Sequence, residues 1–351
     1  MSRYLNAQYQ ALEAYVPGEQ PRDQRYIKLN TNESPYPPAP SVCAAITQED
    51  VSLLRLYSDP TGKNLKEKLA GLYFVKPENV FLSNGSDEVL NFAFMAFGGK
   101  GAVFPDISYG FYSVFGDLYG IDYTQIPLKE DFSLDYQDYC GQGKMVVIAN
   151  PNAPTGLSIP VDAVEQIVAS NPDNVVVIDE AYVDFGGETA LPLIEKYDNL
   201  LVTRTFSKSR CMAGGRLGYA FGSAALIADL EKIKYSTNPY NLDRLTLKLG
   251  EATVDAEDYY QKMCTRIQET RAWTKEQLES LGFQVLPSQT NFLFARTDRM
   301  DGQELYLALK ARGILVRHFS NPRIDQFNRI TIGTPEQMET FLTVTKEILG
   351  L

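Results

Sequence analysis

The stretch "NVVVIDEAY", Asn174 to Tyr182, opens with a β-branched apolar run and breaks on two carboxylates, Asp179 and Glu180. A short continuous apolar run that stops in polar residues reads as a strand buried on both faces. Its neighbours repeat the pattern: "KMVVIANP" (144–151) and "NLLVTRTFS" (199–207) are apolar runs with polar ends, and "NVFLSNG" (79–85) and "AVFPD" (102–106) are shorter ones. Between them lie "KNLKEKLAGLY" (63–73), which has helical spacing, and "DEVLNFAFMAF" (87–97), an apolar helix. Strands alternating with helices predict an α/β fold with a mostly parallel central sheet. Such sheets bind ligands beyond the carboxyl ends of their strands. Here those ends carry Ser83 to Asp87, Asn150 to Asn152, Asp179 with Glu180, and Ser207 with Lys208. All four could converge on one ligand.

From about Glu251 the pattern changes. A long charged helix, "AEDYYQKMCTRIQETRAWTKEQLESL" (256–281), leads into β runs "FQVL", "NFLFAR", "ILVR" and "RITIG" separated by helices. The reading is a large domain over residues 41–250, a smaller α+β domain over 251–351, and an N-terminal segment, 1–40, packed with the smaller one.

Composition narrows the function. The 351 residues are 44% hydrophobic and 22% charged, ordinary for a globular protein. A net charge of −11 argues against a nucleic-acid partner but not against a small anion held by local arginines. Cys43, Cys140, Cys211 and Cys264 are spread without a C-x-x-C pair, so neither a disulfide framework nor a zinc site is expected. With one histidine, His318, a Ser-His-Asp triad has almost no room. The polar opening "MSRYLNAQYQALEAYVPG" has no apolar signal core, and no run approaches a membrane span, so a cytoplasmic enzyme is expected.

The chemistry-bearing residues cluster at the strand ends. In "TRTFSKSRCMAGGRLG" (203–218), Lys208 stands among hydroxyls with Arg216 eight positions on. A lysine amine becomes a nucleophile once burial and a nearby cation lower its pKa, and Arg216 could be that cation. Read alone, Lys208 fits a solvated loop lysine equally well. Asp179, closing a buried strand, needs a cation or donors beside it; a cap or an ion pair would also satisfy it. "SNGSDEVL" (83–90) delivers backbone N–H groups and Ser86 to a helix N-terminus, which is an anion site, a cap, or both. "NPNAPTG" (150–156) is a rigid turn, and Tyr109 in "DISYGFY" is either core or a flat surface for an aromatic ligand.

Taken in order, anion-binding turn, tyrosine, Asn turn, D-E-A-Y and S-K…R, the chain resembles the fold-type I pyridoxal-phosphate aminotransferases. "LNTNESPYPP" (29–38), "ILVRHF" (314–319) and "NRITIGT" (328–334) are similar to the histidinol-phosphate aminotransferase branch, and the resemblance spans essentially the whole chain. It implies that Lys208 binds pyridoxal 5'-phosphate as a Schiff base and serves as general base. It also implies that Asp179 holds the pyridine nitrogen protonated and that Tyr182 bonds the ring's 3-oxygen. Tyr109 would stack on the ring. The phosphate would sit among Ser86, Asp87, Thr205, Ser207 and Arg216, with Tyr57 lent by the second subunit of a homodimer. Where the family carries asparagine before P-T-G, this chain has Ala153, and Asn152 is expected to take over its bond. Tyr15, Asn32 and Asn241 match pocket-lining positions, and Arg317 and Arg329 match arginines that bind substrate anions.

The implied reaction is transamination between L-glutamate and imidazole acetol phosphate, in histidine biosynthesis. The alternatives are an aromatic or broad-range aminotransferase and a threonine-phosphate decarboxylase. A non-catalytic regulatory module on the same fold is the remaining one.

Overall fold

The computed structural model describes residues 2–10, 12, 13 and 15–351. Seven strands form the main sheet: β2 (Val80–Ser83), β3 (Ala102–Pro105), β4 (Tyr123–Ile126), β5 (Met145–Ala149), β6 (Val176–Asp179), β7 (Leu200–Thr205) and β8 (Gly218–Gly222). Their order is β2-β8-β7-β6-β5-β3-β4. The pairs β7/β6, β6/β5, β5/β3 and β3/β4 are parallel, while β8 runs antiparallel to both β7 and β2.

The apolar runs are continuous because each face of this sheet carries its own core. Along β6, Val176 and Ile178 join one cluster and Val177 joins the other; β7 divides Leu200 and Val202 from Leu201 in the same way. This is the two-residue alternation of a strand with no wet face. The helix Lys63–Tyr73 covers one face with Leu65 and Leu69, and Val161–Ser170 covers it with Val164, Ile167 and Val168. Ser86–Phe97 covers the other with Val89, Leu90 and Phe94. Each fully buried Val, Leu or Ile contributes about 1.5–3 kcal/mol. The edge strand β4 is half exposed.

A second, antiparallel sheet has the order β12-β13-β10-β9, from β9 (Phe283–Val285), β10 (Phe292–Thr297), β12 (Arg317–His318) and β13 (Asn328–Thr331). Leu293 and Ile330 pack with Ile267 and Leu278 of the helix Glu257–Ser280 and with Phe341 of Pro335–Leu349. The N-terminal segment is tied to this region. β1 (Ile27–Lys28) pairs in parallel with β11 (Ile314–Leu315), and Thr331 N donates to the Leu29 carbonyl at 2.9 Å. Among the described residues no helix is long and apolar enough to cross a membrane.

Candidate active site

The helix Ser86–Phe97 starts directly after β2, with Gly85 at φ +77 as its cap and no side chain capping it. The first N–H groups of a helix have no intrahelical acceptor and sit at the positive end of its dipole. Gly218 of β8 presses against this turn: a Cβ there would lie 2.3 Å from the Gly85 carbonyl carbon and 2.4 Å from Ser86 N. Only glycine allows the approach. Arg216, left-handed at φ +48, brings its guanidinium back over the same turn, where Nη2 meets Asp87 Oδ2 at 3.2 Å. A Cβ on Gly85 would stand 2.5 Å from that nitrogen. Behind it, Thr205 Oγ1 donates to Ser207 Oγ at 2.9 Å and accepts the Ser207 N–H at 3.0 Å.

A cavity of about 250 Å³ opens in front of these groups. Ser86, Asp87, Tyr109, Asp179, Tyr182, Thr205, Ser207, Lys208 and Arg216 all line it. On its floor Asp179 is buried at the end of β6, with Oδ2 accepting the Tyr112 hydroxyl at 3.0 Å and Oδ1 accepting the Ala181 N–H at 3.2 Å. Burial pushes this carboxyl up to about 6, the charges of Asp87 and Glu180 press the same way, and the two hydrogen bonds oppose them. Tyr109 donates to Asp87 Oδ1 at 2.6 Å. Lys208 Nζ donates to the Thr31 carbonyl at 3.2 Å and stands 5.9 Å from the Tyr182 ring centroid. The Tyr182 hydroxyl accepts from Asn32 Nδ2 at 2.9 Å, which leaves its proton free to donate toward the cavity.

The segment around Lys208 is fixed by buried charges. Arg204 grips Glu180 through Nε at 3.0 Å and Nη2 at 2.8 Å; Arg210 reaches Asp184 at 3.3 Å and Glu257 at 3.0 Å. Deleting one member would strand its partner's charge, at a cost of about 3–5 kcal/mol.

A second cavity, about 400 Å³, shares Tyr109, Tyr182 and Lys208 with the first and extends to Tyr15, Asn32, Arg317 and Arg329. Arg329 lies between the rings of Phe292 and Phe319, at 5.3 and 5.6 Å, and donates through Nη2 to the Asn30 carbonyl at 3.0 Å. Its Nε is buried with no hydrogen-bond partner among the described residues, and burial holds the guanidinium below its ordinary pKa. A half-buried cation with donors to spare at a cavity wall suits an anion.

Three candidates lie elsewhere. Asn152 does not line this cavity; Ala153 does. The Asn152 amide closes its own turn instead, donating to the Ile107 carbonyl at 2.9 Å and Thr155 Oγ1 at 3.0 Å and accepting from Ser108 at 2.8 Å. Both its hydrogens are spent, so the expectation that it replaces the family asparagine is corrected. Asn241 is bound to Glu88 at 2.5 Å and lines neither cavity. Tyr57 is 78% exposed and stacks on Tyr240 at 4.4 Å, outside this chain's own cavity. His318 bonds the Asp325 carbonyl at 2.7 Å. Sequence reasoning missed Tyr112, Thr31 and Glu33. Glu33 lines the cavity, paired with Lys28 at 2.6 Å. The signal that could have found Tyr112 is its spacing, three residues past Tyr109: the turn that opens the helix, closed by Tyr112 N donating to the Tyr109 carbonyl at 3.2 Å, brings the two rings together.

A phosphate fits the helix start, hydroxyls and guanidinium; a protonated ring nitrogen fits Asp179; an aldehyde is within the reach of Lys208. The pyridoxal phosphate that the sequence implies therefore suits the residues present.

Strand ends, helix start and lysine in this arrangement define a fold-type I transferase. The aminotransferase class I and II family model matches residues 24–344. The chain is 49% identical, over all of both chains, to histidinol-phosphate aminotransferase 2 of Dechloromonas aromatica (strain RCB). It is 47% identical, over 99% of each chain, to the histidinol-phosphate aminotransferase of Brachyspira hyodysenteriae. The chain belongs to the class I and II aminotransferases, in their histidinol-phosphate branch. The solved histidinol-phosphate aminotransferase of Sinorhizobium meliloti, in complex with pyridoxal-5'-phosphate, shares the fold with a TM-score of 0.89 at 23% identity, over 100% of this chain and 98% of that one.

Proposed function

We propose that the protein is a pyridoxal-phosphate-dependent transaminase of histidine biosynthesis, moving an amino group between L-glutamate and imidazole acetol phosphate to give 2-oxoglutarate and L-histidinol phosphate. The observation that carries this reading is Arg329, a half-buried guanidinium with a buried, unpartnered Nε, lining the far end of a cavity that reaches Lys208. One substrate brings a carboxylate and the other a phosphate. A guanidinium fork binds either, so one site serves both halves of the reaction.

The bound cofactor supplies an electron sink for the charge left on the substrate's α-carbon. The protein supplies the rest. Asp179 would keep a proton on the ring nitrogen, Tyr182 would donate to the ring oxygen, and Tyr109 would cover the ring's face. The N–H groups of Ser86 and Asp87, with Thr205, Ser207 and Arg216, would hold the phosphate. The Lys208 amine would take the proton from the substrate's α-carbon and hold it for return, the general base of the exchange. Arg329, with Arg317 beside it, sets the α-carbon against that amine by holding the distal anion. The reading includes a cytoplasmic homodimer. Its support is the exposed Tyr57 stacked on Tyr240, a flat aromatic pair available to complete the phosphate site of a second copy.

Single-turnover assays of the loaded enzyme test the substrate. L-Histidinol phosphate should convert the cofactor faster than L-phenylalanine or L-threonine phosphate does; a faster reaction with either rival overturns the assignment. Arg329→Ala should lower kcat/KM for both glutamate and histidinol phosphate by about 10- to 100-fold, the value of a charge-assisted hydrogen bond. Cofactor affinity should stay unchanged. A loss confined to cofactor binding would place Arg329 outside the substrate site.

A further inference from the structure

Asp179 and Tyr109 come from different elements, yet one buried side chain touches both. Tyr112 is fully buried in the helix Phe111–Tyr119. Its hydroxyl donates to Asp179 Oδ2 at 3.0 Å. Its ring stands edge-on to Tyr109, with centroids 5.7 Å apart at 82°, and packs on Phe104 at 5.6 Å. We propose that Tyr112 is a positioning residue for the cofactor: it braces the stacking tyrosine from behind while its hydroxyl keeps the Asp179 carboxylate charged and aimed at the ring nitrogen.

The electrostatics around Asp179 make this hydroxyl matter. Asp87 and Glu180 both disfavour its charge, and Glu180 is itself committed to Arg204. The cations Lys208 and Arg216 line the same cavity, but Arg216 is engaged by Asp87 and Lys208 bonds the Thr31 carbonyl. Of the two donors on Asp179, the Ala181 N–H belongs to the backbone and cannot be removed by substitution. Tyr112 is the side chain that stabilises the ionised form. A hydrogen bond to the charged form of an acid favours that form, so losing it makes Asp179 take up a proton at higher pH. An edge-on aromatic contact adds orientation to Tyr109 beyond the area it buries.

This inference rests on the cofactor reading above. Its test is Tyr112→Phe, which keeps the ring, its volume and its contacts with Tyr109 and Phe104, and removes one oxygen. Cofactor-free wild type and variant would be titrated with pyridoxal 5'-phosphate on either side of pH 6, and their thermal midpoints measured without cofactor. The expected result at neutral pH is about tenfold weaker binding by the variant, the scale of one charge-assisted hydrogen bond. The acid limb of the affinity profile should begin at higher pH than in the wild type. Ionisation of the free cofactor is common to both proteins and cancels from the difference. Equal affinity and an unmoved acid limb overturn the proposal. A pH-independent loss that follows a lowered thermal midpoint also overturns it, since a merely structural tyrosine would give that. If wild type itself failed to bind pyridoxal phosphate, the cofactor reading would fall first.

Discussion

Lys208→Ala is expected to abolish transamination, lowering kcat by at least about 10³–10⁴-fold. Moving a proton at the α-carbon is general base work, which alone contributes about 10²–10⁴-fold, and the same substitution removes the covalent anchor. No neighbour replaces the amine. Glu33 lines the cavity but is tied to Lys28 and to the Thr31 hydroxyl. The Tyr182 hydroxyl is held by Asn32. Turnover with saturating substrates gives the rate. Borohydride gives the second measurement: it should bleach the visible band of the loaded wild type and fix the cofactor to the chain, and do neither in the variant. Full transamination by the variant would remove Lys208 from the mechanism.

Asp179→Asn is expected to cost about 10³-fold in kcat. An amide cannot balance a positive ring nitrogen, and this site makes the exchange worse than a loss of charge. Both carboxylate oxygens accept hydrogen bonds, from Tyr112 and from the Ala181 N–H. An asparagine offers one oxygen and one NH2, so one of those buried donors would face another donor. The wild type carries a related pH signature. Its carboxyl, raised to about 6, is charged above that pH and protonated below it, so cofactor affinity should fall as pH drops through 6. The Asp179→Asn protein should lack that share of the pH dependence. Normal turnover by the variant would refute the role.

The site was legible where chemistry coincides with a strand end. Asp179 directly follows the four-residue apolar run Val175–Ile178, and Lys208 stands a few residues beyond the run Leu200–Val202; short β-branched runs with polar ends read as buried strands. β8 was not legible, because Gly218–Gly222 holds three larger residues between two glycines and lacks a β-branched run. Its Gly218 is nonetheless what brings Arg216 to the helix start. Asn152 misled for a physical reason: a turn containing two prolines has lost two N–H groups, and a neighbouring amide side chain is drawn inward to complete its hydrogen bonds. Tyr112 was hidden by number, one tyrosine among 21, with its hydroxyl turned to a partner 67 residues away. Arg329 was found through the resemblance, whereas its unpartnered Nε is visible only in three dimensions.

The pairing of β1 with β11 sets an order of events during synthesis. Asn32 N donates to Thr331 Oγ1 at 3.0 Å, Thr331 returns a bond to Asn32 Oδ1 at 2.9 Å, and Arg329 holds the Asn30 carbonyl. The loop that carries the acceptor for Lys208 is thus pinned by residues some 300 positions later. A ribosome delivers the first of these long before the last. The nascent enzyme can complete its large sheet early, but its catalytic centre must wait until Arg329 and Thr331 have emerged.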